Sequence, residues 1–186
     1  MELCSVINAV IRDDVEEEIK AAVVIIRSIN SRRVNRETVN PLHQTFPAKG
    51  QTWRGGGFRD EHRAFFDRVK GSKYRVPGFL ATSSDKRVAK AFAVKADKTG
   101  SYPSAIWRFK FDPRGEHEAE YCVKHMTLVS KTLISGELEY LFAPYSVFTL
   151  QSIEWSNELA RPHKFFLRPV IDNKMEDEEL PLAPWY

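Results

Sequence analysis

Between Ala105 and Phe111 the residues alternate without interruption. Ala105, Trp107, Phe109 and Phe111 fall on one side, and Ile106, Arg108 and Lys110 on the other. Successive side chains of an extended chain point to opposite faces, so this run predicts a strand with one strongly apolar face. Further strands are predicted at Tyr121–Ser130, Glu139–Phe142, Val147–Trp155 and His163–Ile171, several of them rich in β-branched and aromatic residues. Another follows the Pro77-Gly78 break, at Phe79–Thr82.

Helical spacing is concentrated earlier. Asp14, with Glu17 three residues on, resembles a helix start, and Ile19, Ala22, Val23, Ile26 and Ile29 then recur on one face, predicting a helix from Val15 to about Ser31. Asp60–Val69 reads as a second helix burying Phe65, Phe66 and Val69, and Arg32–Lys49 as a polar connection. A third helix, Asp85–Ala96, is capped by Ser84 or Asp85, with Val88, Ala91, Phe92 and the Lys95 stem facing inward. Helices first and strands afterwards is the pattern of an α+β domain, not of alternating parallel units.

The chain has 186 residues, 42% of them hydrophobic, enough for one well-buried core and short for two. A single domain over residues 1–171 is expected, followed by a tail at 172–186. No stretch approaches a membrane span, and Met1–Ile11 lacks the basic start and long apolar run of a secretory signal. Cys4 and Cys122 are far apart, without the spacing of a disulfide framework, which fits a reduced compartment. The location expected is cytoplasmic, or secreted without a recognisable signal. The histidines are scattered, and Glu116-His117-Glu118-Ala119-Glu120 lacks the second histidine of a helical zinc site, so no metal is expected.

Net charge is +3, but Asp172–Glu179 alone carries −4, which leaves +7 on the rest. A basic body suits an anionic ligand such as a dinucleotide. It suits nucleic acid as well, but the chain lacks the aromatic interleaving of an RNA-binding pattern, so a nucleic-acid partner ranks last. The tail ends in Leu180-Pro181-Leu182-Ala183-Pro184-Trp185-Tyr186. A free end of that kind would expose much apolar surface, so it is expected to fold back on the body.

Three segments carry the chemistry. Gln51-Thr52-Trp53-Arg54-Gly55-Gly56-Gly57-Phe58 is a short strand with an arginine followed by three glycines, and no Walker or Gly-x-Gly-x-x-Gly pattern accompanies it. A guanidinium grips phosphate through paired hydrogen bonds, and glycines let backbone amides approach a ligand closely. Phe79-Leu80-Ala81-Thr82-Ser83-Ser84 joins an aromatic-led strand to hydroxyl residues. Ser135-Gly136-Glu137-Leu138-Glu139-Tyr140-Leu141-Phe142 puts two carboxylates on one side of a strand mouth. Such a pair suits a cation, whether an oxocarbenium ion or a guanidinium. Each acid raises the other's proton affinity, and a bound cation relieves it.

In this order, the three segments resemble the mono-ADP-ribosyltransferases of the arginine-serine-glutamate type, over roughly Gln51–Trp155. The resemblance implies two packed, mostly antiparallel sheets with flanking helices, NAD+ as co-substrate, and an arginine side chain of another protein as acceptor. It implies that Arg54 binds the nicotinamide-side ribose and phosphate, that backbone at Gly55 meets the nicotinamide amide, and that Glu139 holds the ribose 2'-hydroxyl and the developing cation. Glu137 would hold and help deprotonate the guanidinium, with Lys131, Leu133 and Ile134 on the acceptor loop. Thr82 and Ser83 belong to the hydroxyl motif, and Phe92 stands where related enzymes stack an aromatic on nicotinamide, although its helical spacing favours the core. One position departs from the family pattern, because Ala81 replaces the serine that normally steadies the glutamate. That departure leaves open an NAD+ glycohydrolase, and a binding module without turnover is a further alternative.

Overall fold

The computed structural model describes residues 3–13, 16–33, 46–98, 102–129, 138–158 and 161–184. Two helices, α1 (Leu3–Asp13) and α2 (Glu16–Arg33), precede strand β1 (Gln51–Gly57), and a 3-10 turn at Asp60–His62 leads into α3 (Arg63–Arg68). Strands β2 (Lys73–Val76) and β3 (Leu80–Ser83) follow, then helix α4 (Lys86–Lys98). The remainder is β4 (Ser104–Lys110), β5 (Met126–Val129), β6 (Glu139–Phe142), β7 (Ser146–Glu154) and β8 (His163–Pro169). This is the α+β order expected from the sequence.

Strand order is β2-β7-β8-β4-β1-β3-β6-β5, and every pairing is antiparallel except that of β4 with β8. The ladder is unevenly built. β1 pairs with β4 along its whole length, from Gln51↔Lys110 to Gly57↔Ser104, but meets β3 at one register pair, Trp53↔Ser83. Five strands therefore lie on one side of that junction and three on the other. The main core takes Trp107, Phe109, Phe148 and Phe165 from the larger part and Leu80, Tyr140 and Phe142 from the smaller, so the two parts close face to face. Aromatic contacts knit them together. Phe142 of the smaller part meets Phe148 edge-on at 5.0 Å and lies 5.6 Å from Phe109, both of the larger part, within the range of favourable ring contacts.

The outer faces are covered by helices. Ile7 of α1 and Ala22 of α2 pack on Phe79, with Ile26 and Leu141 alongside. Three acidic residues in the first turn of α2 complement the positive end of its dipole. α4 lies on β1 through Ala89 and Ala93, against Trp53 and Ile106. The predicted inward stripe of this helix is corrected here. Val88 is half-buried, Ala91 and Lys95 are exposed, and Phe92 is 49% exposed. The cause is the tightness of the contact, since a Cβ placed on Gly55 would stand 1.7 Å from the Ala89 carbonyl oxygen. Only small side chains fit a helix seated that closely on a strand.

Strand β2, which sequence reading left unassigned, lies at the sheet edge. Arg75 on it is buried and donates from Nη1 to Tyr145 O (3.2 Å) and from Nη2 to Glu176 O (3.2 Å) and Asp177 O (2.7 Å). Leu182 forms a parallel bridge to Arg75, and Ala183 is buried in the main core. Residues 172–184 thus run along the edge of β2, satisfying backbone groups that an edge strand leaves open.

Candidate active site

The site is built where the β1–β3 ladder stops. Phe111 N–H donates to Gly50 O (2.9 Å) and Phe58 N–H to Pro103 O (2.7 Å), which places the peptide groups of even-numbered β1 residues on the β4 side. By alternation, the peptide groups of Trp53, Gly55 and Gly57 point the other way, toward β3. Continuing the register would pair Gly55 with Ala81, but β3 has already diverged. The Arg54 side chain takes that place, and its Nη1 donates to Ala81 O at 3.0 Å. A guanidinium therefore stands in the gap beside a strand edge carrying the peptide groups of Gly55 and Gly57.

The opposite wall is set by register. Trp53 faces Ser83 on β3, Ser83 faces Glu139 on β6, and Glu139 faces Val129 on β5. Directly opposed residues share a face, with Cβ atoms about 5 Å apart. Ser83 and Glu139 are therefore neighbours on the outer face, the side of Phe79 and Leu141, while Tyr140 and Phe142 turn into the core. The strand carrying Arg54 lies two strands from Glu139, about 10 Å between axes. Half-buried Glu139 opens its strand.

Ser83 is 97% buried, and its Oγ accepts from Asp85 N–H at 3.1 Å, leaving its own proton to donate. Asp85 caps α4 by accepting from Arg87 N–H (2.8 Å), and it holds the Arg87 guanidinium in a fork of hydrogen bonds that lowers its carboxyl pKa. The turn leaving β3 is thereby fixed, and Ser83 with it. Ala81 pairs with Leu141, one step along the same face.

The other candidates divide. Thr82 is not brought to this face: it is buried on the core side, and its hydroxyl donates to Tyr140 O (3.2 Å), which orders the β3–β6 pairing. Phe92 lies on α4, one position before Ala93 over β1, and is about half exposed. Gly55 has a structural duty under α4 together with its edge peptide groups. Glu137, Lys131, Leu133 and Ile134 lie outside the described residues, as does the Asp14 cap. Sequence reading missed the cross-strand row through Trp53, because pairing partners are nonlocal and no local spacing encodes them. It also missed Leu138, 47% exposed beside Glu139, whose carbonyl accepts from Ser84 N–H (3.1 Å).

No protein-family model and no curated protein matches the chain. Solved structures do. The ADP-ribosyltransferase Vis in complex with the M6 inhibitor matches with a TM-score of 0.60 and 18% identity, over 89% of this chain and 66% of that one. Vis, a toxin from Vibrio splendidus, matches in its agmatine complex with a TM-score of 0.54 and 20% identity, over 81% of this chain and 59% of that one. C3larvin toxin, an ADP-ribosyltransferase from Paenibacillus larvae, gives a TM-score of 0.54 and 14% identity, over 90% of this chain and 81% of that one. This is the ADP-ribosyltransferase fold. The chain spans less than two thirds of the length of Vis. At the junction between the two sheet parts Arg54 bonds to the Ala81 carbonyl, and Glu139 lies two strands away, opposite Ser83. Among the described residues no group of histidines, cysteines and acids could hold a metal ion, and no helix is long and apolar enough to cross a membrane.

Proposed function

We propose that this protein transfers ADP-ribose from NAD+ to an arginine side chain of an acceptor protein, releasing nicotinamide. The observation that carries the reading is the one-pair junction of β1 with β3, which leaves Arg54 in the gap and Glu139 across it, in register with Ser83. Arg54 and the Gly55 peptide hold the nicotinamide half of the dinucleotide, with Phe92 available to stack on the ring. The bond from the ribose anomeric carbon to the pyridinium nitrogen breaks, its electron pair leaves with neutral nicotinamide, and the ribosyl carbon becomes cationic. Glu139 stabilises that cation and accepts the 2'-hydroxyl hydrogen bond, and preorganised charge of this kind is commonly the largest single contribution to rate. The acceptor guanidinium then attacks the anomeric carbon, and Glu137 takes its proton.

Ser83 supplies the hydroxyl that Ala81 lacks, because it directly opposes Glu139 and its proton is free to donate. The agmatine complex of Vis, a guanidine ligand on a protein of the same fold, supports arginine as the acceptor type. Ala81 also favours a second reading, hydrolysis of NAD+, in which water attacks in place of the guanidinium. Incubation with labelled NAD+ and agmatine separates the two. Transfer predicts an agmatine adduct that disappears in Glu137→Gln while nicotinamide release continues. Nicotinamide without adduct from the native protein leaves the hydrolase, and an undiminished adduct in Glu137→Gln refutes the acceptor assignment.

A further inference from the structure

Helix α4 carries an uncompensated positive face. Lys86, Arg87, Lys90 and Lys95 fall within ten residues that include no acid, and the strands on which the helix packs, β1, β3 and β4, contain none either. All four residues are exposed. Asp85 engages Arg87 at 2.7 Å, whereas Lys86, Lys90 and Lys95 make no ion pair with a described residue. By contrast, the exposed lysines Lys20, Lys73 and Lys124 on other parts of the chain are each paired with an acid.

Two further features indicate a partner. Lys86, Lys90 and Val94 follow one another at four-residue spacing and so form one stripe. Val94 is 51% exposed, and Ala91 is exposed as well. Aliphatic surface among unpaired cations is complementary to an acidic, amphipathic segment of another protein. The stripe also begins beside the candidate site. Ser84, two residues ahead of α4, donates its N–H to Leu138 O (3.1 Å), and exposed Leu138 adjoins Glu139. A polypeptide lying along the stripe is thereby led toward Glu139. A bilayer fits less well, since α4 is pressed onto β1 through Ala89 and Ala93 and a single large aliphatic side chain on the stripe is a weak anchor.

We propose that α4 is the docking face for the acceptor protein, taking an acidic helical segment whose carboxylates meet Lys86 and Lys90 and whose apolar side chains cover Val94. Charge complementarity selects that partner, and the position of α4 beside Leu138 presents it to the transfer site. The inference rests on the transferase reading for the partner's role as acceptor, while the docking itself needs no NAD+.

The test is fluorescence anisotropy of the full chain, without NAD+, against a labelled helical peptide with glutamates at four-residue spacing, leucines beside them and one arginine. A peptide with glutamine in place of glutamate is the control. The native chain is expected to bind the glutamate peptide at least about tenfold more tightly. Lys86→Gln/Lys90→Gln should weaken that binding by about tenfold, roughly 1.4 kcal/mol, and Val94→Ser severalfold at unchanged charge. Lys70→Gln/Lys174→Gln, which removes the same charge from exposed positions near β2, should bind like the native chain. Equal affinity for the two peptides, equal weakening by the two lysine pairs, or an unchanged Val94→Ser affinity would each overturn the proposal. Tighter binding to phosphatidylserine vesicles or to oligouridylate than to the peptide would also overturn it. A parallel incubation with NAD+ reads transfer separately. Agmatine, which carries no acid, should be modified by Lys86→Gln/Lys90→Gln at the native rate, while KM for the glutamate peptide rises about tenfold; an unchanged KM would overturn the acceptor role. No agmatine adduct from the native chain would refute the transfer reading, and peptide binding would still decide the docking face.

Discussion

At the scale of single residues, two positions separate packing from chemistry. Gly55 has no room for a side chain, because its Cβ would meet the Ala89 carbonyl at 1.7 Å. Gly55→Ala must push α4 off β1, and we expect a loss of about 3 kcal/mol, measured as a lowered denaturant midpoint with unchanged slope. Ser83 works differently. Ser83→Ala removes the acceptor of the Asp85 N–H and the donor facing Glu139. It should cost about 1 kcal/mol of stability and lower the kcat of nicotinamide release by about tenfold, with KM little changed, since support of the transition-state charge moves kcat. Ser83→Thr, which keeps the hydroxyl, should restore most of the rate. Motif order singles out Arg54 and Glu139 as candidates, because each carries a charge in an otherwise apolar or glycine-rich strand. The position of Ser83 opposite Glu139 is not legible in the same way, since register between β3 and β6 is set by tertiary pairing.

At the scale of elements, the turn joining β6 to β7 hangs on a buried histidine. His125 Nε2–H donates to Val170 O (2.8 Å), Nδ1 lies 2.9 Å from Ser146 Oγ, and Ser146 donates to Ala143 O (2.6 Å). Burial is the main cause that lowers the His125 pKa from 6.5 to about 4, against smaller opposing contributions from the Val170 carbonyl and Asp172. The folded state then keeps His125 neutral where the unfolded chain protonates. Its stability contribution is complete above pH 6.5 and declines as pH falls toward 4, by up to about 3 kcal/mol. His62 and His163, lowered chiefly by burial, act with the same sign. Urea midpoints at pH 7.5 and 4.5 test this, and His125→Gln should flatten the difference, whereas an unchanged difference contradicts it. Element types were readable where periodicity was strong, as in α2 and β4. The inward face of α4 was not, because the stripe through Val88 and Phe92 is as apolar as that through Ala89 and Ala93. Glycine contact, not hydrophobicity, chose between them. Four-residue β2 carries Lys73 and Arg75, too polar to announce a strand until the returning chain covers its edge.

At the scale of the whole molecule, the sheet is continuous but nearly severed at one pair, and the candidate site occupies that break. A core contributed by both sides of the break ties the strand carrying Arg54 to the strand carrying Glu139. The α+β class followed from the order of periodicities along the chain. The junction did not, because a missing ladder is a property of paired strands and leaves no mark in either one. The most direct measurement is a crystal structure of Glu139→Gln, slowed in turnover, grown with saturating NAD+. It should show the nicotinamide ribose between residue 139 and the Gly55 peptide, with a phosphate at Arg54. NAD+ absent from the gap at saturation, or bound elsewhere on the surface, would contradict this account.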